Sequence, residues 1–317
     1  MHKQTVRRSG LTMPVVTPRF VDNAWRRGCD FIVIDLEDSV PRHLKAHARS
    51  LVKDAIANVS KGGAEAFTRI NHDSVAADLE GAVWPGLKRI KYPKTEHASE
   101  VRLLDEIITR LERDRGVAPG SVEIDCGIET ATGTTNVFEI AAASPRVKEF
   151  GASAGGYDYS RDLGVEMFVD FDQFVYGKGE AELAARTLGL GVRASPFIVN
   201  KTGSVSDPDR ALHQAQATFK CGIHLGGGGL NPAVVDGHTV GLTPTADDVR
   251  DAQWVIEQYR QLAVTSDTWR DVDGRVIDHY EAARARGMLE WAALCAARDK
   301  EKTEAVARVK AAQGAAK

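Results

Sequence analysis

VEIDCGIETATG (Val122–Gly133) and, one helix-length stretch later, VKEFGASAGGYDYSRDLG (Val147–Gly164) each run from a short apolar, β-like segment into a carboxylate, Glu129 in the first and Asp158 in the second. A short apolar run, a polar end, a helix-length stretch (TTNVFEIAAAS) and a second apolar run make the pattern of consecutive parallel β/α units. In such units both carboxylates fall at the C-terminal edges of neighbouring strands. Two anions facing one cavity repel each other and lose hydration, so something must compensate. A divalent cation, an Arg or Lys partner, or protonation of one carboxyl would each do so. Mg2+ usually takes one or two protein carboxylates and leaves its other positions to water and substrate. The alternative is that each carboxylate is salt-bridged or solvated at its own strand end.

Working outward, the same pattern recurs along the chain. LTMPVVTP (Leu11–Pro18), DFIVIDLEDSVP (Asp30–Pro41), AFTRIN (Ala66–Asn71) and GLKRIKYPKTE (Gly86–Glu96) precede the opening pair. VRASPFIVN (Val192–Asn200) and the end of ALHQAQATFKCGIHL (Ala211–Leu225) follow it. Strand starts fall near residues 12, 31, 66, 87, 122, 147, 193 and 220, each followed by helical sequence. Eight β/α units predict a (β/α)8 TIM barrel over residues 11–242. Glu37, Asp38, Arg69, Lys94, Glu129 and Asp158 crowd the predicted strand ends, the face on which barrel enzymes build their sites. Residues 243–317 read as an appendage of two helices joined by a turn at Asp273–Gly274. The first has an N-cap at Thr245 with Asp248 three residues on, and the terminal AAQGAAK is small and polar enough to fray. Asp278 stands at the start of the last helix, where a helix dipole favours a carboxylate.

Composition narrows the function classes. With 317 residues and a formal net charge of −3, the chain has no electrostatic footprint for nucleic acid or an anionic membrane. Cys29, Cys126, Cys221 and Cys295 are widely separated, without zinc spacing, and predict reduced, mostly buried thiols in a cytoplasmic protein. No run approaches the roughly 20 apolar residues of a membrane span. The opening MHKQTVRRSG is basic but lacks the apolar core of a secretory signal.

IDLEDSVP, TRIN, YPKTE, GIETATG, the YDYSRDLG segment and DGRVID, in that order, resemble the successive motifs of the HpcH/HpaI aldolase and citrate lyase β-subunit superfamily, on its citrate-lyase-β-like and malyl-CoA lyase branch. The resemblance runs from about Pro14 to Ala292. It implies Mg2+-dependent (or Mn2+-dependent) carbon–carbon cleavage or formation between an acyl-CoA thioester and an α-keto acid. It also implies that residues 243–317 are a C-terminal helical lid and oligomerisation segment, in a homotrimer or hexamer whose lid completes the neighbour's site. By the motif matches, Glu129 and Asp158 are the metal ligands and Arg69 binds the acid's oxygens. Glu37 and Asp38 hold metal-bound water, and Asp278 is the lid's acid/base. Lys94 is a phosphate or carboxylate contact, or the partner of Glu37 or Glu96, and Pro196 joins the substrate-binding set. Two departures stand out. The sixth strand is glycine-rich before Asp158. After His224, GGGG (Gly226–Gly229) stands where relatives turn at once, which reads as a reshaped loop or, without a following Lys-Ser/Thr, a weak phosphate cradle.

Overall fold

A computed structural model describes residues 5–151, 157–166, 174–193, 206–265 and 267–315. It divides into two compact units, Met1–Leu242 with Lys302–Lys317, and Thr243–Glu301.

The first unit is an α/β fold. Its strands are β1 (Gly10–Pro14), β2 (Phe31–Asp35), β3 (Glu65–Arg69), β4 (Leu87–Tyr92), β5 (Glu123–Cys126), β6 (Glu149–Phe150), β7 (Gly191–Val192) and β8 (Gly228–Gly229). Six of them form one parallel sheet in the order β5-β4-β3-β2-β1-β8, and β6 pairs with β7, also in parallel. Parallel bridges join Ile124 to Val147 and Arg193 to Leu225. The helices between are α1 (Pro18–Asn23), α2 (Lys45–Ser60), α3 (Val75–Ala82), α4 (Ala98–Arg115), α5 (Ala131–Thr135), α6 (Val137–Ala142), α7 (Tyr157–Leu163), α8 (Val175–Thr187), α9 (Pro208–Lys220) and α10 (Val235–Gly241). Among the described residues, no helix is long and apolar enough to cross a membrane.

Strand alternation sorts the side chains into two layers. Ile32, Ile34, Ala66, Ile90 and Ile124 are buried in one large cluster with helix residues such as Val52, Ile56, Leu104 and Ile108. The other face carries Phe31, Val33 and Phe67, with the two phenyl rings stacked at 4.7 Å. Alongside them lies a buried ionic network. Arg7 Nε reaches Glu65 at 2.5 Å, and Arg7 Nη1 reaches Glu123 at 2.8 Å and Glu149 at 2.5 Å. Arg89 pairs with the same two glutamates, and Asp125 is held between Lys91 and Arg193. Buried charge survives only when paired in this way. Arg7 and Arg8 of the basic opening stretch are thus part of the interior. Both are almost fully buried, Arg8 on Asp30.

The eighth strand differs from its expected position near residue 220, where α9 ends. Pairing is made by Gly228 and Gly229 against Gly10 and Leu11. A Cβ on Gly226 would meet the Arg8 carbonyl oxygen at 1.8 Å, so this glycine packs directly on backbone. Of the GGGG segment, Gly228 and Gly229 form the short strand.

The second unit holds α11 (Ala246–Thr265), an antiparallel hairpin of β9 (Trp269–Val272) and β10 (Arg275–Asp278), and the first part of α12 (His279–Ala315). Thr245 and Asp248 form a reciprocal cap on α11. The turn at Asp273–Gly274 occurs as expected, with φ of 53° and 81°, but the flanking residues pair as strands rather than passing straight between helices. Asp-Gly between alternating residues is a strong hairpin signal. Ile277 faces inward onto Ala252, Val255, Leu262 and Ala285. Helix α12 continues through the terminal residues expected to fray, as far as Ala315.

Candidate active site at the strand C-termini

Parallel register places the candidate residues together. Asp35 ends β2 opposite Arg69 at the end of β3, and Arg69 in turn stands opposite Lys91 of β4. Arg69 donates from Nε to Asp35 Oδ1 at 2.7 Å and from Nη2 to Oδ2 at 2.8 Å, a two-pronged grip on a carboxylate with no solvent exposure. Burial opposes ionisation of Asp35, but the Arg69 hydrogen bonds and charge outweigh it and hold the carboxyl below its usual range. Asp35 also accepts from the Glu37 and Ser39 amides, so it shapes the loop that carries Glu37 and Asp38.

The remaining nitrogen of Arg69, Nη1, faces the mouth. It lies 2.7 Å from Glu37 Oε2 and 3.7 Å from Asp38 Oδ2. Glu37 Oε2 is off the N–H direction and accepts no hydrogen bond, a buried carboxylate oxygen with coordinating capacity to spare. Glu37 Oε1 takes Lys94 Nζ at 2.9 Å. Burial raises the Glu37 carboxyl above its ordinary range despite Arg69 and Lys94. Of the partners open to Lys94, the fold selects Glu37, with Asp158 Oδ2 3.8 Å away. Lys94 adopts the left-handed backbone region at φ 51°, uncommon for a residue with a Cβ.

Glu129 follows β5 and folds back over Gly127, where a Cβ would stand 2.6 Å from Glu129 Oε1. Burial, then the charge of Asp158, push the Glu129 carboxyl up to about 7. The Asp158 charge thus reaches the Glu129 carboxyl. Asp158 lies in the first turn of α7. Two contacts tie the loop after Glu129 to this helix: Asp162 Oδ2 accepts from the Ala131 amide at 2.7 Å, and Thr134 Oγ1 meets the Tyr159 hydroxyl at 2.8 Å. The donor set fits a hard divalent cation. Two carboxylates suffice for Mg2+, and a cation between them would offset the burial and the Asp158 charge that raise the Glu129 carboxyl. Among the described residues no cluster of three or more His, Cys, Asp or Glu forms a fuller protein cage.

The fold thus brings together Glu37, Asp38, Arg69, Lys94, Glu129 and Asp158. Asp278 belongs to the second unit, where its Oδ1 accepts from the Glu281 amide at 2.9 Å and caps α12. Pro196 lies outside the described residues. Asp35, Tyr159 and Asp162 escaped the sequence reading. Asp35 alone left a usable signal, as a polar residue ending an apolar run in register with Arg69. A cavity of about 620 Å3 adjoins this cluster along Glu37, Lys94, Lys45 and His72. Another, of about 1080 Å3, opens at the opposite strand ends near Arg7 and Glu149 and contains none of the candidate residues.

A sequence profile of the HpcH/HpaI aldolase/citrate lyase family matches residues 8–224. Citrate lyase subunit beta of Escherichia coli K12 is 31% identical over 307 residues, spanning 94% of this chain and 97% of that protein. L-malyl-CoA/beta-methylmalyl-CoA lyase of Cereibacter sphaeroides is 26% identical over 308 residues, 90% and 94% of the two chains. In fold, the chain resembles CitE of Mycobacterium tuberculosis, solved in complex with magnesium, acetoacetate and coenzyme A. The TM-score is 0.67 at 20% identity, over 92% of this chain and 100% of that one.

Proposed function

Because this chain belongs to the HpcH/HpaI aldolase/citrate lyase family, we propose that it is a Mg2+-dependent carbon–carbon lyase acting on a hydroxy-dicarboxylic thioester of the malyl-CoA or citramalyl-CoA type. The single observation that carries this reading is the coupled Glu129–Asp158 pair at the mouth that Arg69, Glu37 and Lys94 also face. The relatives named as lyases and the magnesium and coenzyme A bound by the M. tuberculosis protein support it. We further read the first unit as a closed (β/α)8 barrel over residues 11–242, supported by the bridges at Ile124–Val147 and Arg193–Leu225. Residues 243–317 are read as its lid, and the assembly as a trimer or hexamer.

Cleavage removes the substrate's hydroxyl proton and breaks the bond between the carbinol carbon and the α-carbon. An α-keto acid leaves, and the electron pair becomes a thioester enolate that takes a proton at carbon. A divalent ion held by Glu129 and Asp158 would supply Lewis acidity and a template for the keto-acid oxygens. Arg69, fixed by Asp35, presents Nη1 to the acid's carboxylate or developing alkoxide. Glu37 and Asp38 orient water and polar hydrogens beside it. Lys94 keeps Glu37 in place and offers its charge to the substrate. Asp278, as the acid/base, takes up the hydroxyl proton and returns a proton to carbon.

Incubating the protein and Mg2+ with hydroxyacyl-CoA esters and free hydroxy acids, with products read by mass spectrometry, tests the proposal. Acyl-CoA plus keto acid is the expected result. Free thiol would mark a thioesterase on this scaffold, and cleavage of free acids alone a free hydroxy-acid aldolase. A second reading follows from the relatives named as subunits: a dependent member of an acyl-carrier lyase complex. It requires that the chain alone cleave only a carrier-bound thioester.

Arg69→Lys keeps the charge but replaces the planar fork, so kcat/KM should fall at least about 100-fold. A fall of only a few-fold would mean that Arg69 serves mainly to tie β2 to β3.

Wild type should bind one Mn2+ per chain by electron paramagnetic resonance, and Glu129→Ala and Asp158→Asn should each abolish binding. The cation must displace the proton that Glu129 retains below about pH 7, so affinity should weaken as pH falls below that value, by up to about tenfold per unit. Unchanged affinity across roughly pH 5 to 8, the window in which a group shifted to near neutrality changes charge, would contradict this arrangement.

A further inference from the structure

The turn that carries Glu37 and Asp38 leaves β2 with its backbone carbonyls pointing back toward α2, and one side chain collects them. Lys45 Nζ, in the first turn of α2, donates to Leu36 O, Glu37 O and Asn71 Oδ1, each at 2.6 Å. Asn71 extends the same net, donating from Nδ2 to Leu36 O at 2.8 Å and to Asp78 Oδ2 at 2.6 Å. Asp78, fully buried, is fixed by Arg49 Nε at 2.6 Å. All three ammonium hydrogens of Lys45 thus go to neutral oxygens. Among the described residues Lys45 forms no ion pair, unlike Arg69 and Lys94 beside it.

A half-buried ammonium on neutral acceptors is costly unless its field is used. Burial lowers the Lys45 pKa, while Asp35, Asp78, Glu37 and Asp38 act in the opposite sense, so its charge falls on the loop of the site. The carboxylates around this turn have other cationic partners: Arg69 faces Asp35, Glu37 and Asp38, Lys94 lies on Glu37 and near Asp158, Arg161 lies 3.9 Å from Asp158, and Arg49 holds Asp78.

We propose that Lys45 is a positioning residue of the site: its ammonium holds the Leu36–Glu37 turn that aims Glu37 at Arg69 and Lys94. The proposal deepens the lyase reading and rests on it for the reaction. Lys45 acts through the two peptide carbonyls, and Lys94 cannot replace it because that amine is engaged on the far side of Glu37.

The test uses full-length Lys45→Met and Lys45→Ala proteins with thermal midpoint, kcat, KM and Mn2+ affinity measured on each. The expected result is a kcat about 10–100-fold lower, the range for partners that orient a metal site, with KM little changed. Mn2+ affinity should move the opposite way and tighten about threefold or more, because a like charge has been removed. Ethylammonium, which fits where the side chain was and can enter from the adjoining cavity of about 620 Å3, should restore part of kcat in Lys45→Ala and reverse the tightening. A kcat within threefold of wild type overturns the proposal. So does a loss that comes with weaker Mn2+ binding, a lowered midpoint and no response to the amine, which would mark Lys45 as merely structural. If wild type cleaves no thioester, the lyase reading fails by itself. The sign of the Mn2+ change and its reversal by ethylammonium then still decide whether Lys45 serves the cation site.

Discussion

Asp278→Asn is expected to lower turnover by about 10²–10⁴-fold, the span for a lost general acid or base, while leaving fold and Mn2+ binding intact. The substitution isolates the proton because of what Asp278 does in its own unit. Its Oδ1 accepts from the Glu281 amide and caps α12, and Asn caps a helix about as well as Asp. Asp278→Ala would remove cap and carboxyl together, at a cost of about 1 kcal/mol for the cap. If the lid completes a neighbour's site, mixing Asp278→Asn subunits with Glu129→Ala subunits should recover part of the activity, although each parent is nearly inactive. Some mixed sites then combine an intact metal pair with an intact Asp278. Absence of recovery after verified subunit exchange would place Asp278 on its own chain's site or reduce it to a helix cap.

Arg7→Met should cost about 3–5 kcal/mol of stability, the usual penalty for breaking a buried ionic network from one side. Glu123 and Glu149 keep Arg89, but Glu65 is left without a guanidinium. Urea denaturation would measure the loss, and Arg7→Met/Glu65→Leu should recover part of it by removing the orphaned carboxylate. The acid limb offers a second check. Burial opposes ionisation of Glu149, but Arg89 and then Arg7 outweigh it and bring its carboxyl down to about 2. A depressed carboxyl stabilises the fold above its unfolded-state value of about 4.3 and loses that contribution as pH falls toward the folded value. Wild type should therefore lose stability over that window, and Arg7→Met should show a shallower slope. A loss under about 1 kcal/mol would mean that the interior network tolerates the missing guanidinium through Arg89 alone.

Much of the site was legible before the fold because its parts repeat one local rule. Glu37, Asp38, Arg69, Lys94 and Glu129 each follow an apolar run within a few residues of its end, and a parallel sheet gathers such ends on one edge. The hairpin at Asp273–Gly274 obeyed a local rule equally well, yet the helical reading on either side hid its two strands. Asp35 was different. A buried aspartate ending a strand is unremarkable until Arg69, 34 residues later, closes on it with two hydrogen bonds.

By itself, the sequence determined the order of β/α units up to β5 and the identities of the charged residues at the strand ends, because alternation and turn chemistry act over a few residues. Only the tertiary structure decided that Lys94 pairs with Glu37, that Arg7 lies inside the fold, and that Gly228 and Gly229 pair with β1. It alone showed the Lys45 ammonium holding the turn before Asp38. Each of those outcomes joins residues distant in the chain, and the free energy of burying a charge depends on which partner the fold delivers to it.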